Sequence, residues 1–242
     1  MIRIIAILSI FLSVVVSLNG KDESARRRSI ITIEDHPYVV ALYDSVGNFA
    51  CPGTIIAPKI VLTANHCVSP YRLFSIRAKS SDISSGGEKY RIQRIIKYPN
   101  ASRNGSPVPH DIALVVLKTK IPNVRPVKLA DPKVEVPPGA IVQALGWGSR
   151  DFPRILSKVD LEITSRQDCL MYYKSDDWFC TESYNTYTCA GDGGGPVIFS
   201  GEQVGIVSHS KNDNSCSSRL PTANVNLRKY SAWIKSKIRL HA

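Results

Sequence analysis

Residues 189–196 read CAGDGGGP, an aspartate, Asp192, set among Gly191, Gly193, Gly194 and Gly195 between Cys189 and Pro196. Two other stretches are read jointly with it: LTANHC (62–67), which carries His66, and DIALV (111–115), which carries Asp111. All three lie in a chain of short β-rich runs, among them YVVALYD (38–44), GTIIAPKIVLTA (53–64), YRIQRIIKY (90–98), AIVQALGW (140–147) and QVGIVSHS (203–210). Pro, Gly, Asn and Ser punctuate these runs, as many antiparallel strands require. Only RKYSAWIKSKI (228–238) has a helical period, with Tyr230, Trp233, Ile234 and Ile238 on its apolar face. Many short strands and one terminal helix indicate an all-β barrel or sandwich.

The chain has 242 residues, enough for one large domain or two small ones. Arg3, an apolar run from Ile4 to Val16 and a small-residue exit ending at Gly20 read as a secretory signal peptide. The run is shorter than the ~20 apolar residues of a spanning helix. A soluble, secreted protein is therefore expected, with a charged stub at 21–28 and the folded domain from 29 to 242. Six cysteines in an exported chain suggest three disulfides, in about 15 possible connectivities. No C-x-x-C pair is present, so neither a metal site nor a cofactor is expected. The net charge of +11 can draw a protein to anionic glycans, membranes, nucleic acid or acidic proteins. Its cations are scattered apart from Arg26-Arg27-Arg28, and no nucleic-acid motif accompanies them. The loop PNASRNGSP (99–107) holds two glycosylation sequons, at Asn100 and Asn104.

Taken together, LTANHC, DIALV and GDGGGP resemble the three catalytic stretches of the chymotrypsin-like serine proteases, from about Glu34 to the C-terminus. GWG (146–148), GIVSHS (205–210) and the terminal helix fall in the family order. The resemblance implies two antiparallel six-stranded β-barrels, about 29–125 and 126–242, with a cleft between them and a C-terminal helix outside. It implies that His66 is the general base and Asp111 its orienter, with Ser208 beside them, and that the disulfides are Cys51–Cys67, Cys169–Cys180 and Cys189–Cys216. Gly191 and Gly193 would contribute the backbone N–H groups of an oxyanion hole.

The sequence departs from the family at three places. The nucleophile position is Gly193 where the family has serine. Losing that hydroxyl typically costs about 10⁶-fold in turnover. The specificity-pocket positions carry Tyr187 at the base and Ser210 and Thr222 on walls that are usually glycine, with His209 in place of a tryptophan. Finally, SIITIEDHPY (29–38) lacks the family's cleavage motif, whose new amino group pairs with the aspartate at Asp192. Ile30 lies about five residues too close to Pro37, a shortfall of roughly 16 Å at ~3.3 Å per residue. These departures lead to the expectation of a protein that is not an enzyme, its triad positions His66, Asp111 and Gly193 degenerate and its oxyanion hole not ordered as in an active protease.

A narrower likeness joins FSIRAKSSDISSGGEKYRIQRII (74–96) and VDLEITSRQDC (159–169) to mite group 3 trypsins. With Gly193, the chain resembles the scabies-mite inactivated serine protease paralogues. That resemblance implies a secreted, monomeric binding protein whose partners are host complement proteins. Two alternatives remain, a decoy for the substrates or inhibitors of active proteases, and a residual hydrolase working through Thr188 or through a water activated by His66.

Overall fold

A computed structural model describes residues 28–68, 73–101, 109–148, 154–183, 188–209 and 220–241. The strands run β1 Ser29–Ile30, β2 Val39–Asp44, β3 Phe49–Ala57, β4 Ile60–Thr63, β5 Leu73–Ala78, β6 Glu88–Lys97 and β7 Ala113–Leu117. They continue as β8 Lys128–Leu129, β9 Ile141–Gly146, β10 Ser157–Ile163, β11 Trp178–Glu182, β12 Pro196–Phe199, β13 Glu202–His209 and β14 Thr222–Asn226. Helix α1 spans Asn65–Val68, α2 Arg166–Tyr172 and α3 Ser231–His241.

Strands β2-β3-β4-β7-β6-β5 close into an antiparallel barrel. The second sheet closes in the same way, because β9, at one end of the path β10-β11-β14-β13-β12-β9, also pairs with β10. Two six-stranded barrels result, as expected. The short β1 is added outside the second ring on β10, with Ser29 opposite Lys158 and Ile30 opposite Ser157.

Strand periodicity shows where the barrels meet. Val40 and Leu42 of β2 point into the first barrel with Val61 and Val115. Their alternates Val39 and Ala41 are equally buried, in a cluster that also holds Leu62, Leu114, Leu145, Trp147 and Tyr230. Because β2, β4 and β7 are covered on both faces, they read as unbroken apolar runs rather than alternating ones. By contrast, β10 (SKVDLEI) alternates, sending Val159 and Leu161 into the second barrel.

Further contacts fix the seam. The Trp147 indole N–H donates to the Ser81 carbonyl at 2.8 Å. Tyr98 packs edge-on against Tyr230 and Trp233, docking α3 onto the junction. The terminal helix begins at Ser231, with Leu227–Tyr230 forming a 3-10 turn ahead of it, and its fully buried contact is Ile234. No helix among the described residues is long and apolar enough to cross a membrane.

Candidate active site

His66 follows strand β4 on the one-turn helix α1, and its neighbour Cys67 is joined to Cys51 of β3. Asp111 lies just before β7 and is buried. The preceding His110 has φ +54, and this turn is closed by the Ile112 N–H donating to the His110 carbonyl. The Asp111 carboxylate accepts three hydrogen bonds, from the His66 backbone N–H at 2.7 Å, the His66 Nδ1 at 2.7 Å and the Ser208 hydroxyl at 2.5 Å. Because Nδ1 faces a carboxylate, it carries the proton, which leaves Nε2 as the basic nitrogen of the neutral ring.

The pair shifts both titrations. Burial alone would lower the His66 pKa, but the charge and hydrogen bond of Asp111 more than offset it and raise the value. Burial would raise the Asp111 pKa, yet the His66 ring, the Ser208 hydroxyl and the His66 N–H together hold it below the usual carboxylate range.

Gly193 lies next to this pair. Its carbonyl oxygen is 3.5 Å from Cys67 Sγ, and the His66 Nε2 is 3.4 Å from the same sulfur. Cys51, Cys67 and the His66 ring thus cluster. The two sulfurs are bonded to each other, however, so the group has no thiolate to offer a cation. Gly194 has φ +89, and a Cβ there would lie 2.6 Å from the Thr63 hydroxyl and 2.7 Å from Cys67 Sγ. Only glycine brings the loop this close to the first barrel.

Asp192 has a cation, supplied from elsewhere than an amino terminus. Its buried carboxylate is gripped by the guanidinium of Arg28 through two nitrogens, and it also accepts the Gly148 N–H at 3.0 Å and the Cys189 N–H at 2.8 Å. Arg28 donates as well to the Ser157 hydroxyl at 2.7 Å. Gly148, at φ +68, leaves room for the guanidinium, since a Cβ there would come within 3.0 Å of it. The shortfall computed for a terminus at Ile30 is therefore bypassed: a side chain from position 28 supplies the cation. Arg28 went unnoticed in the sequence because the last member of a basic run reads as solvated charge.

Gly191 takes a different place from the one expected. Its N–H donates to the Gly148 carbonyl at 2.7 Å and so is spent inside the loop rather than offered to an oxyanion. At the pocket, Thr188 and Thr222 are both buried, and their hydroxyls meet at 2.8 Å. Tyr187, Ser210, Cys216 and Asn104 lie outside the described residues. Two of the expected disulfides are present, Cys51–Cys67 and Cys169–Cys180, and Cys189 is also disulfide-bonded.

Comparisons with known proteins agree with this architecture. The trypsin family profile matches residues 28–234, beginning at the arginine that grips Asp192. A trypsin of Sarcophaga bullata is 31% identical over 195 residues, covering 73% of this chain and 75% of the relative. The thrombin-like enzyme flavoxobin of Protobothrops flavoviridis is 29% identical, covering 85% and 84% of the two chains. Trypsin Blo t 3 of Blomia tropicalis is 29% identical over 84% and 82%. Among solved structures, neuropsin, a serine protease from mouse brain, superposes with a TM-score of 0.79 at 26% identity, over 88% of this chain and 99% of its own. These matches correct the expectation that the chain is not an enzyme, because relatives aligned over most of its length are named as trypsins and a thrombin-like enzyme. The two closed barrels, the pairing of His66 with Asp111 and the profile match converge, and the chain belongs to the trypsin family of serine proteases.

Proposed function

We propose that this trypsin-family chain is secreted and acts by binding, seating a protein partner on its outer surface. The partner is a component of a host complement system, as the likeness to the scabies-mite paralogues implies. Thr222 holds, by the resemblance, a wall position of the substrate slot, and the bridge between its buried hydroxyl and that of Thr188 supports binding outside the cleft. The test is complement-mediated lysis of sensitised red cells with the purified protein titrated into serum. A chemically blocked active mite trypsin serves as control. Protection that follows the dose of this protein and is absent with the control is the expected result. Equal lysis at every dose overturns the complement assignment.

A second reading has its own support in the hydrogen-bonded line from Ser208 through Asp111 to His66. Such a line holds an imidazole ready to take a proton from water, and peptide hydrolysis by that route suits the family. Thr188 does not serve as nucleophile in this reading, since its hydroxyl is committed to Thr222. A panel of fluorogenic peptides decides the matter. Turnover that disappears in His66→Ala supports hydrolysis, and turnover unchanged in that variant rules this route out.

A further inference from the structure

One stretch of the chain has cations and almost no acids to balance them. Between Lys89 and Ala130 there are nine lysines and arginines and a single acid, Asp111, which is buried against His66. Five of these cations are exposed on β6 and just past the end of β7, in the first barrel. On β6, Lys89 and Arg91 flank the inward-pointing Tyr90 and are both exposed. The break in register between Ile92 and Arg94 absorbs Gln93 and leaves Arg94 exposed too. Beside them, the Lys118 N–H donates to the Arg91 carbonyl at 2.9 Å, and Lys118 and Lys120 are both exposed. Cations therefore recur about every 7 Å along β6, with Lys118 about 5 Å to the side.

Like charges set side by side on a sheet repel one another, and no ion pair among the described residues offsets these. Glu88, at the start of β6, is already taken by the Lys79 ammonium and the Tyr90 hydroxyl. None of the five cations has an ion pair among the described residues. Among the described residues the face also lacks a free apolar anchor: Phe74, 48% exposed, has the Arg91 guanidinium 5.3 Å above its ring. Protein interfaces need a buried apolar centre, and single-stranded nucleic acid needs free aromatic faces. A repeating array of cations without either suits a flexible polyanion whose charges also repeat.

We propose that the outer face of β6 and the end of β7 bind a linear sulfated polysaccharide. This site is independent of the cleft and of the complement reading.

The experiment measures binding of a heparin oligosaccharide at about 0.15 M salt. It compares the wild-type protein, the variant Lys89→Glu/Arg91→Glu/Arg94→Glu and the variant Lys235→Glu/Lys237→Glu/Arg239→Glu on α3. Both variants change the net charge equally. The β6 variant is expected to lose at least about tenfold in affinity with a shallower dependence on salt, while the α3 variant stays near wild type. Equal losses in the two variants overturn the proposal, because total charge would then explain the binding. Equal binding of the desulfated polymer, or of polyglutamate, overturns it as well. If the β6 variant fails to fold, Lys118→Ala/Lys120→Ala takes its place, with a smaller loss in the same direction expected and no loss counting against the site.

Discussion

Arg28 and Asp192 stand 164 positions apart in sequence, yet their contact fixes three segments at once: the start of the fold, the Gly146–Gly148 turn and the glycine loop. A buried carboxylate stripped of its cation typically costs about 3–5 kcal/mol. Arg28→Gln should lower the urea midpoint accordingly, and adding Asp192→Asn should cost less than the sum of the two single changes. Additive losses would mean that the two groups do not act as a pair.

His66 has a different signature. Its pKa is raised, so its contribution to stability is complete below the unfolded value of about 6.5 and is lost as pH rises through the folded value. Asp111, with its pKa lowered, contributes above its ordinary 3.8 and loses that contribution as pH falls through the folded value. The pair therefore stabilises most between about pH 4 and 6.5. A proton-resonance titration should place the His66 midpoint above 6.5, and Asp111→Asn should bring it down. A midpoint unmoved by that variant would remove Asp111 as the cause.

At the scale of elements, α2 is held by its cap. Ser165 accepts from the Asp168 N–H at 3.1 Å and donates to the Asp168 carboxylate. Ser165→Ala should cost about 1 kcal/mol, seen as a lower thermal midpoint. Reading the chain as many strands and one terminal helix missed this element, since seven residues are too few to display a helical period. Strands β2, β4 and β7 were legible because burial on two faces makes them continuously apolar. Strand β14 (TANVN) was not. It buries Asn224, whose amide donates to the Thr181 hydroxyl and the Thr222 carbonyl, so its polarity disguises a central strand. The site divides in the same way. His66 and Asp111 sit in recognisable local motifs, whereas the partner of Asp192 and the inward turn of the Gly191 N–H depend on contacts between distant segments.

For the molecule as a whole, the Cys51–Cys67 disulfide ties β3 to the helix carrying His66, and Gly193 rests against it. It closes a loop of 16 positions, and replacing both cysteines by alanine should cost about 3 kcal/mol. Because the core is continuous across the seam through Leu62, Leu145 and Trp147, near- and far-ultraviolet circular dichroism should lose signal in one shared transition. Two separate transitions would show that the barrels unfold independently.

The position of Arg28 also bears on where an arginine-selecting protease can cut the folded chain. A trimming protease that selects arginine must draw that side chain into a pocket of its own. Arg26 and Arg27 precede Arg28 in the sequence, but the Arg28 guanidinium is already lodged at Asp192. Amino-terminal sequencing after brief trypsin treatment of the folded protein should find Arg28 or an earlier residue first, and a chain beginning at Ser29 would refute this. The family's zymogens, as their likeness to this chain implies, wait for a cut to supply a cation to the buried aspartate, so their readiness has a moment. Here the cation arrives with the polypeptide, and the finished loop is as old as the fold itself.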